Sequence, residues 1–155
     1  MKVVIVSGGF DPIHSGHIQY LLEAKKLGDI LIVALNSDEW LIEKKGKEFM
    51  PFEERKVVLE NISCVDQVIG FEDDDLGSCI NALKMLKNKY PNDQIIFCNG
   101  GDRNEGNIPE MSVEGIEFQF PQNTEIEAQG YLVIAETPEE LLKSYGKEAS
   151  GPYSG

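Results

Sequence analysis

The sequence is poor in cysteine and contains no long apolar run. Its three cysteines, Cys64, Cys79 and Cys98, are odd in number and show no CxxC spacing, which argues against a zinc site and is typical of a reducing cytoplasm. The apolar run at residues 30–35 is far shorter than the roughly 18 residues that a membrane span needs. The first residues show no signal-peptide pattern. We therefore expect a cytoplasmic protein that has no membrane partner.

Positive charge is also scarce. The chain has 14 Lys and Arg against 27 Asp and Glu, and its formal net charge is −13. Because binding to a nucleic acid backbone depends on Lys and Arg, this balance argues against a nucleic acid partner. A small anionic ligand remains possible where the few cations converge, so their positions are informative.

What the chain does contain is an alternation of strand-like and helix-like segments, which is typical of an α/β fold with a parallel sheet covered by helices. No linker or repeat divides it, and we expect one domain over residues 1–146 and a disordered tail at 147–155. A Lys-rich loop is predicted up to Gly46. The predicted strands are residues 2–7, 30–35, 67–71, 94–98 and 116–120. The predicted helices begin after Ser15 as N-cap and at Pro51, Leu76 and Thr137, and end near residues 28, 62, 90 and 146.

The turn after the first predicted strand carries the strongest chemical signal. Ligands of open parallel sheets bind beyond the carboxyl ends of the strands, where this turn lies. Gly8 and Gly9 would let backbone N–H groups approach an anion, and the following helix offers its positive N-terminal end. His14 and His17 are the only histidines of the chain. Their spacing lets both imidazoles face one phosphate and neutralise charge that develops during its transfer.

The same turn allows other interpretations. The two histidines could be a coincidental pair at a helix start. A metal site would need a third ligand such as Asp11, and nothing else in the sequence completes the set, so no protein-held metal is predicted. A serine nucleophile lacks its Gly-x-Ser-x-Gly elbow, and the glycines do not have the G-x-G-x-x-G spacing of a dinucleotide site.

Residues 8–17, GGFDPIHSGH, resemble the HxGH signature of the cytidylyltransferase-like nucleotidyltransferases. The similarity covers about residues 2–121 and becomes atypical from about residue 122. Within the superfamily, the chain is similar to glycerol-3-phosphate cytidylyltransferases and to the adenylyltransferase domains that activate heptose 1-phosphate. The segments that also carry the similarity are residues 36–40, 44–47, 50–56, 65–68 and 99–103.

The resemblance implies a Rossmann-like open parallel sheet with helices on both faces, and direct transfer of CMP or AMP from CTP or ATP to a small phosphorylated alcohol or sugar. Mg²⁺ would enter through the nucleotide phosphates, and a homodimer is possible. His14 and His17 would stabilise the phosphates in the transition state. The remaining nucleotide contacts of this turn would come from Gly8, Gly9, Phe10, Asp11 and Gly16.

Two further groups of residues are candidates for the site. Lys44, Lys45 and Lys47 form either a solvated loop or a clamp on a phosphate, and the resemblance favours Lys44 without excluding Lys45. Arg55 has a planar fork suited to bidentate phosphate contact, and its alternative is a surface ion pair with Glu54 or Glu60.

A second glycine-rich turn follows the predicted strand at residues 94–98. It contains Gly101, Asp102 and Arg103, and the Asp102 carboxylate could accept a hydrogen bond from the exocyclic amine of cytosine or adenine. The alternative is a plain turn that contains an aspartate.

The similarity fails at the closing phosphate-binding element of the family, which carries an arginine and hydroxyl residues. Residues 120–127 contain no arginine, one hydroxyl residue (Thr124) and two carboxylates, Glu125 and Glu127. This departure leaves open a nucleotide-binding pseudoenzyme or regulatory protein. A pantetheine-phosphate or nicotinamide-mononucleotide adenylyltransferase is a further alternative, because those enzymes have a similar turn.

Overall fold

The computed structural model describes residues 1–99 and 114–119. The predicted helix after Thr137 and the tail at 147–155 lie outside these residues. The described chain forms β1 (Lys2–Gly8), α1 (Ser15–Lys25), β2 (Ile30–Leu35), α2 (Asp38–Lys45), α3 (Phe52–Glu60), β3 (Gln67–Gly70), α4 (Ile80–Lys89), β4 (Gln94–Cys98) and β5 (Glu117–Gln119).

The five strands form one parallel sheet in the order β3-β2-β1-β4-β5. The pairing of β1 with β2 runs from Val3 opposite Ile30 to Gly8 opposite Leu35, so the two strands end together. The chain crosses from β3 over to β4, on the far side of β1. The α/β prediction is confirmed, and the bounds of β2 and β4 are those predicted.

Helices cover both faces of the sheet, as expected. On one face, Leu21 of α1 and Leu59 of α3 pack with Val4 and Val6 of β1. On the other face, helix α4 packs against the alternate residues of the same strands, which include Val3, Ile5, Ile32 and Phe97. Because both faces of β1 are buried, its residues are continuously apolar instead of alternating.

The prediction of a Lys-rich loop up to Gly46 is wrong, because helix α2 occupies this segment. Ser37 caps the helix by accepting the Trp40 N–H at 2.9 Å, and Gly46 ends it with a φ of 85°. Acidic residues in the first turn and lysines in the last turn complement the helix dipole. The capping signals are visible in the sequence, but only Leu41 of the eight residues is buried, so the apolar periodicity is weak.

Other predicted boundaries shift by a few residues. Helix α4 starts at Ile80 instead of Leu76, because the Asp74 carboxylate accepts the N–H groups of Leu76 and Ser78 and holds a turn there. Pro51 is the N-cap of α3 and not its first residue. Strand β3 ends at Gly70 and β5 begins at Glu117, each one residue inside its prediction.

The three cysteines are buried among the apolar side chains of the interior. Across the described residues, no helix has the length and apolar character required to cross a membrane.

Candidate functional site

The candidate site lies at the carboxyl ends of β1 and β4. These neighbouring strands connect in opposite directions across the sheet, which makes the crevice between their ends the usual ligand position of such folds. Helix α1 is tied to this edge, since the Tyr20 hydroxyl donates to the carbonyl of Cys98 at 2.6 Å. The N-terminus of α1 therefore opens beside the ends of both strands.

The turn between β1 and α1 is fixed by close packing. Phe10 has a φ of 50°, a conformation that is rare for a bulky residue, and its side chain is buried. A Cβ on Gly9 would lie 2.7 Å from Cδ2 of Leu41, and one on Gly8 would lie 3.1 Å from the Phe10 ring. The sequence analysis assigned these glycines to the approach of an anion. The structure shows that packing against α2 and Phe10 already requires them.

His14 and His17 are brought together, with ring centroids 3.9 Å apart. His14, and not the predicted Ser15, is the N-cap of α1, so the helix starts one residue earlier than predicted. Its Nδ1 accepts the Gly16 N–H at 3.1 Å, and the His17 Nδ1 accepts the His14 N–H at 3.2 Å. Because both Nδ1 atoms accept a hydrogen bond, each ring carries its proton on Nε2. Gly16 is a predicted nucleotide contact, and its N–H is donated to the His14 side chain in this cap.

Burial, together with a smaller contribution from the neighbouring His14, lowers the pKa of His17 to about 4. The Phe10 ring contributes to this burial, with its centroid 5.0 Å from that of His17. At neutral pH the His17 imidazole is therefore uncharged. It can donate one hydrogen bond without the desolvation cost of a buried cation.

Asp11 binds the protein itself. Its side chain is fully buried, and its two oxygens accept the N–H groups of Phe49 at 2.7 Å and Met50 at 2.6 Å. Lys45 forms a 2.8 Å ion pair with the same carboxylate. Burial alone would raise the pKa of Asp11, but these three donors outweigh it and the pKa is lowered. The expected contact between this side chain and a nucleotide does not fit, because its oxygens are already occupied.

Arg55 is also directed into the protein. Its guanidinium is buried and donates to the carbonyls of Met50, Gly9 and Asn36 at 2.8–2.9 Å. A fourth bond, of 2.7 Å, goes to the Asp38 carboxylate. The alternative of a surface pair with Glu54 or Glu60 is wrong. Bidentate contact with a phosphate does not fit either, since four of the five N–H groups of an arginine are taken.

The three lysines of the cluster lie at the end of α2 and just after it, and they differ in their surroundings. Lys45 is bound to Asp11 and donates a further 2.7 Å hydrogen bond to the Asp11 carbonyl. The Lys44 ammonium lies over the Trp40 ring, 4.6 Å from its centroid. Lys47 is exposed after Gly46. Lys45 is thus the lysine that holds the turn, and Lys44 and Lys47 are better placed to reach a ligand.

Asn99, directly after β4, is a polar residue that the sequence analysis did not single out. Its side chain is nine-tenths buried, and its Nδ2 has no hydrogen-bond partner. An unsatisfied buried donor is costly and rare in folded proteins. The sequence gives no signal for it beyond its place at a strand end. Its neighbours Gly101, Asp102 and Arg103 lie outside the described residues.

The site offers no set of metal ligands within the part of the chain that the structure describes, where no group of three His, Cys, Asp or Glu could hold a metal ion. The carboxylate within the turn, that of Asp11, already accepts from three protein donors.

Comparison with known proteins supports the resemblance. Residues 5–117 match the model of the cytidylyltransferase-like family. The chain is 39% identical over 112 residues to the Bifunctional protein HldE of Enterobacter sp. (strain 638), covering 65% of this chain and 24% of the relative. It is 46% identical over 85 residues to the Bifunctional protein HldE of Helicobacter pylori (strain P12), covering 54% of this chain and 18% of the relative. The chain thus matches a quarter or less of the length of these relatives.

A solved structure shows the same fold. The lipopolysaccharide core biosynthesis protein from Thermoplasma volcanium GSS1 superposes with a TM-score of 0.60 at 24% identity, covering 78% of this chain and 96% of that one. Three observations agree with one another. They are the order of the strands, the histidine pair at the switch point of the sheet, where β1 and β4 connect in opposite directions, and the family match over residues 5–117. This chain belongs to the cytidylyltransferase-like family.

Proposed function

We propose that this chain is a nucleotidyltransferase that moves CMP or AMP from CTP or ATP to the phosphate of a small phosphorylated alcohol or sugar. An oxygen of the acceptor phosphate attacks the α-phosphorus, the bond from that phosphorus to the bridging oxygen of the β-phosphate breaks, and pyrophosphate leaves. The observation that carries the proposal is the pair of imidazoles at the start of α1, placed at the switch point of the sheet.

The histidines would act through hydrogen bonds. With both Nδ1 atoms engaged, the Nε2–H groups of His14 and His17 are the donors for a phosphoryl group. Charge on the phosphoryl oxygens and the leaving group changes during transfer, and preorganised donors stabilise it without rearrangement. The burial of His17 keeps its ring neutral, so its capping bond to His14 persists while it donates.

Positive charge for the triphosphate would come from Lys44, which the resemblance favours, and from the exposed Lys47, together with the N-terminus of α1 and Arg103. Arg55 is paired with Asp38, and Lys45 is paired with Asp11. In this proposal Arg55, Lys45 and Asp11 are positioning residues that hold the turn and the segment at residues 46–50 in place.

Mg²⁺ would enter with the nucleotide as part of the substrate, bridging the triphosphate and offsetting its charge. The acceptor is proposed to be a sugar phosphate or a glycerol phosphate, in keeping with the resemblance of residues 2–121. A homodimer and a cytoplasmic location also belong to the proposal.

Pyrophosphate release tests this proposal. The protein is incubated with Mg²⁺, each of the four nucleoside triphosphates, and a panel of phosphorylated acceptors that includes heptose 1-phosphate and glycerol 3-phosphate. We expect release that depends on both an acceptor and CTP or ATP. Release only with 4′-phosphopantetheine or nicotinamide mononucleotide would select the alternative enzyme class.

The missing arginine and hydroxyl residues near residue 122 keep the pseudoenzyme as a second candidate. The same samples separate the two, because a pseudoenzyme would bind a triphosphate and release no pyrophosphate with any acceptor. Thermal stabilisation by each nucleotide measures binding independently, through mass action on the folded state.

A further inference from the structure

Phe49, in the segment between α2 and α3, is the most exposed large apolar side chain of the described residues, at 74%. Exposure alone has no meaning, since single apolar residues are common on protein surfaces. What distinguishes Phe49 is the way in which its backbone is held.

Two buried charged side chains hold the backbone of Phe49 and Met50 by hydrogen bonds. The Asp11 carboxylate accepts the N–H groups of Phe49 and Met50, and the Arg55 guanidinium donates to the Met50 carbonyl at 2.9 Å. Burying charges is costly unless each is paired and hydrogen-bonded. Leu76 is similarly exposed, at 72%, but its N–H bonds to Asp74 only two residues earlier, in a local turn. The backbone N–H of Phe49 thus bonds to a residue that is distant along the chain, whereas that of Leu76 bonds to a near neighbour.

The same two charged residues connect the segment to the proposed phosphate site. Asp11 lies within the turn between Gly9 and His14, and Arg55 also donates to the Gly9 carbonyl at 2.9 Å. The backbone of Phe49 is therefore one hydrogen bond away from the turn. The backbone of an exposed aromatic residue is thus held beside the turn.

We infer that Phe49 is a substrate-contacting residue whose ring packs on the apolar or planar face of a bound substrate. This inference rests on the proposed function. A nucleobase or ribose of the triphosphate offers such a face, and so does the carbon skeleton of a phosphorylated sugar or alcohol. Aromatic rings stack on such faces whatever the identity of the base, and they do not require one exact alignment of the two faces.

The test compares Phe49→Ala with Phe49→Tyr, which keeps the ring, and with Val57→Ala, a matched change at an exposed apolar residue of α3. For each protein we would measure the thermal midpoint, the Kd of CTP and ATP with Mg²⁺, and KM and kcat for both substrates. We expect Phe49→Ala to leave the thermal midpoint unchanged and to weaken the binding of one substrate by about fivefold or more. The tyrosine variant and Val57→Ala should match the wild type.

The substrate that is affected identifies the occupant. A higher Kd for the nucleotide indicates the base or ribose, and a higher KM for the acceptor alone indicates the acceptor. If the wild type releases pyrophosphate and Phe49→Ala binds and uses both substrates within about twofold of it, this inference is overturned and the proposed function stands. If the wild type neither binds a triphosphate nor releases pyrophosphate, both fail. Loss of self-association in Phe49→Ala, with unchanged Kd and KM, would make Phe49 an interface residue and would also overturn the inference.

Discussion

The Nδ1 atom of His17 accepts the backbone N–H of His14, and Nδ1 of His14 in turn accepts the Gly16 N–H. The pair of imidazoles is thus part of the capping of α1 as well as of the candidate site. This double use fixes both ring orientations and both tautomers before any ligand binds. It also links the protonation of His17 to the stability of the fold.

Stability should depend on His17 as the pH falls. The folded-state pKa of His17 is about 4, against an ordinary value of 6.5. Its contribution is therefore complete above about pH 6.5 and is lost as the pH falls toward 4, by up to about 3 kcal/mol. His17→Gln keeps an acceptor for the His14 N–H but does not titrate. Unfolding by urea between pH 7 and pH 4.5 should show a smaller loss of stability in this variant than in the wild type.

The carboxyl groups of Asp11, Asp66 and Asp74 do not confuse this measurement. Their pKa values are lowered below the ordinary value of 3.8, so their stabilisation is lost only at more acidic pH. Equal pH dependence in the wild type and His17→Gln would show that the His17 ring is not held neutral in the folded protein.

Arg55 should matter for stability and binding together. Its four bonds join the ends of β1 and β2 to α2 and to Met50, so Arg55→Ala leaves buried carbonyls and the Asp38 carboxylate without their donor. We expect a lower thermal midpoint and triphosphate binding weakened by about tenfold (about 1.4 kcal/mol). Arg55→Lys should rescue little, because an ammonium cannot reproduce the fork. An Arg55→Ala protein with a normal midpoint but weak binding would instead indicate direct phosphate contact.

Lys44 and Lys45 should separate into two roles. Lys45→Ala removes the ion-pair partner of the buried Asp11 carboxylate, and we expect a loss of about 1–2 kcal/mol in stability. Lys44→Ala should leave stability nearly unchanged and weaken triphosphate binding by about tenfold. Chemical unfolding and calorimetric binding on both variants give the answer. The reverse pattern would assign the phosphate contact to Lys45.

Nucleotide preference provides a prediction for the second glycine turn. If the Asp102 carboxylate accepts from an exocyclic amine, CTP or ATP should stabilise the wild type more than GTP or UTP does in thermal unfolding. Asp102→Ala should reduce that preference, and the midpoint without nucleotide should stay near that of the wild type. Equal stabilisation by all four nucleotides would remove Asp102 from base recognition.

The sequence predicts the fold well because the strong signals are local. The buried strands 30–35 and 94–98 are continuous β-branched or apolar runs, and their bounds match the structure. Helix α2 was missed because its stability comes from Ser37, Gly46 and the contact of Leu41 with Gly9, and not from apolar periodicity.

The histidine pair could be predicted from its spacing at a helix start, whereas the roles of Asp11 and Arg55 could not. Both are charged residues within a motif, and the sequence cannot show whether a charge faces a ligand or the protein. Apart from the Met50 carbonyl, which lies five positions from Arg55, their partners lie 17 to 46 positions away along the chain. Only the packing of α2 and α3 against the turn shows that these charges are satisfied internally.

The kinetics of His17→Gln and His17→Ala test the central claim most directly, that the imidazole pair acts on the phosphoryl group in transfer. Pyrophosphate release and triphosphate Kd would be measured on the same preparations, with Mg²⁺ and the best acceptor. The account predicts that kcat falls by about two orders of magnitude or more while the Kd changes far less, as for a group that acts in the transition state. Near-normal turnover in the folded His17→Ala variant would contradict it, and would make the pair a helix cap alone.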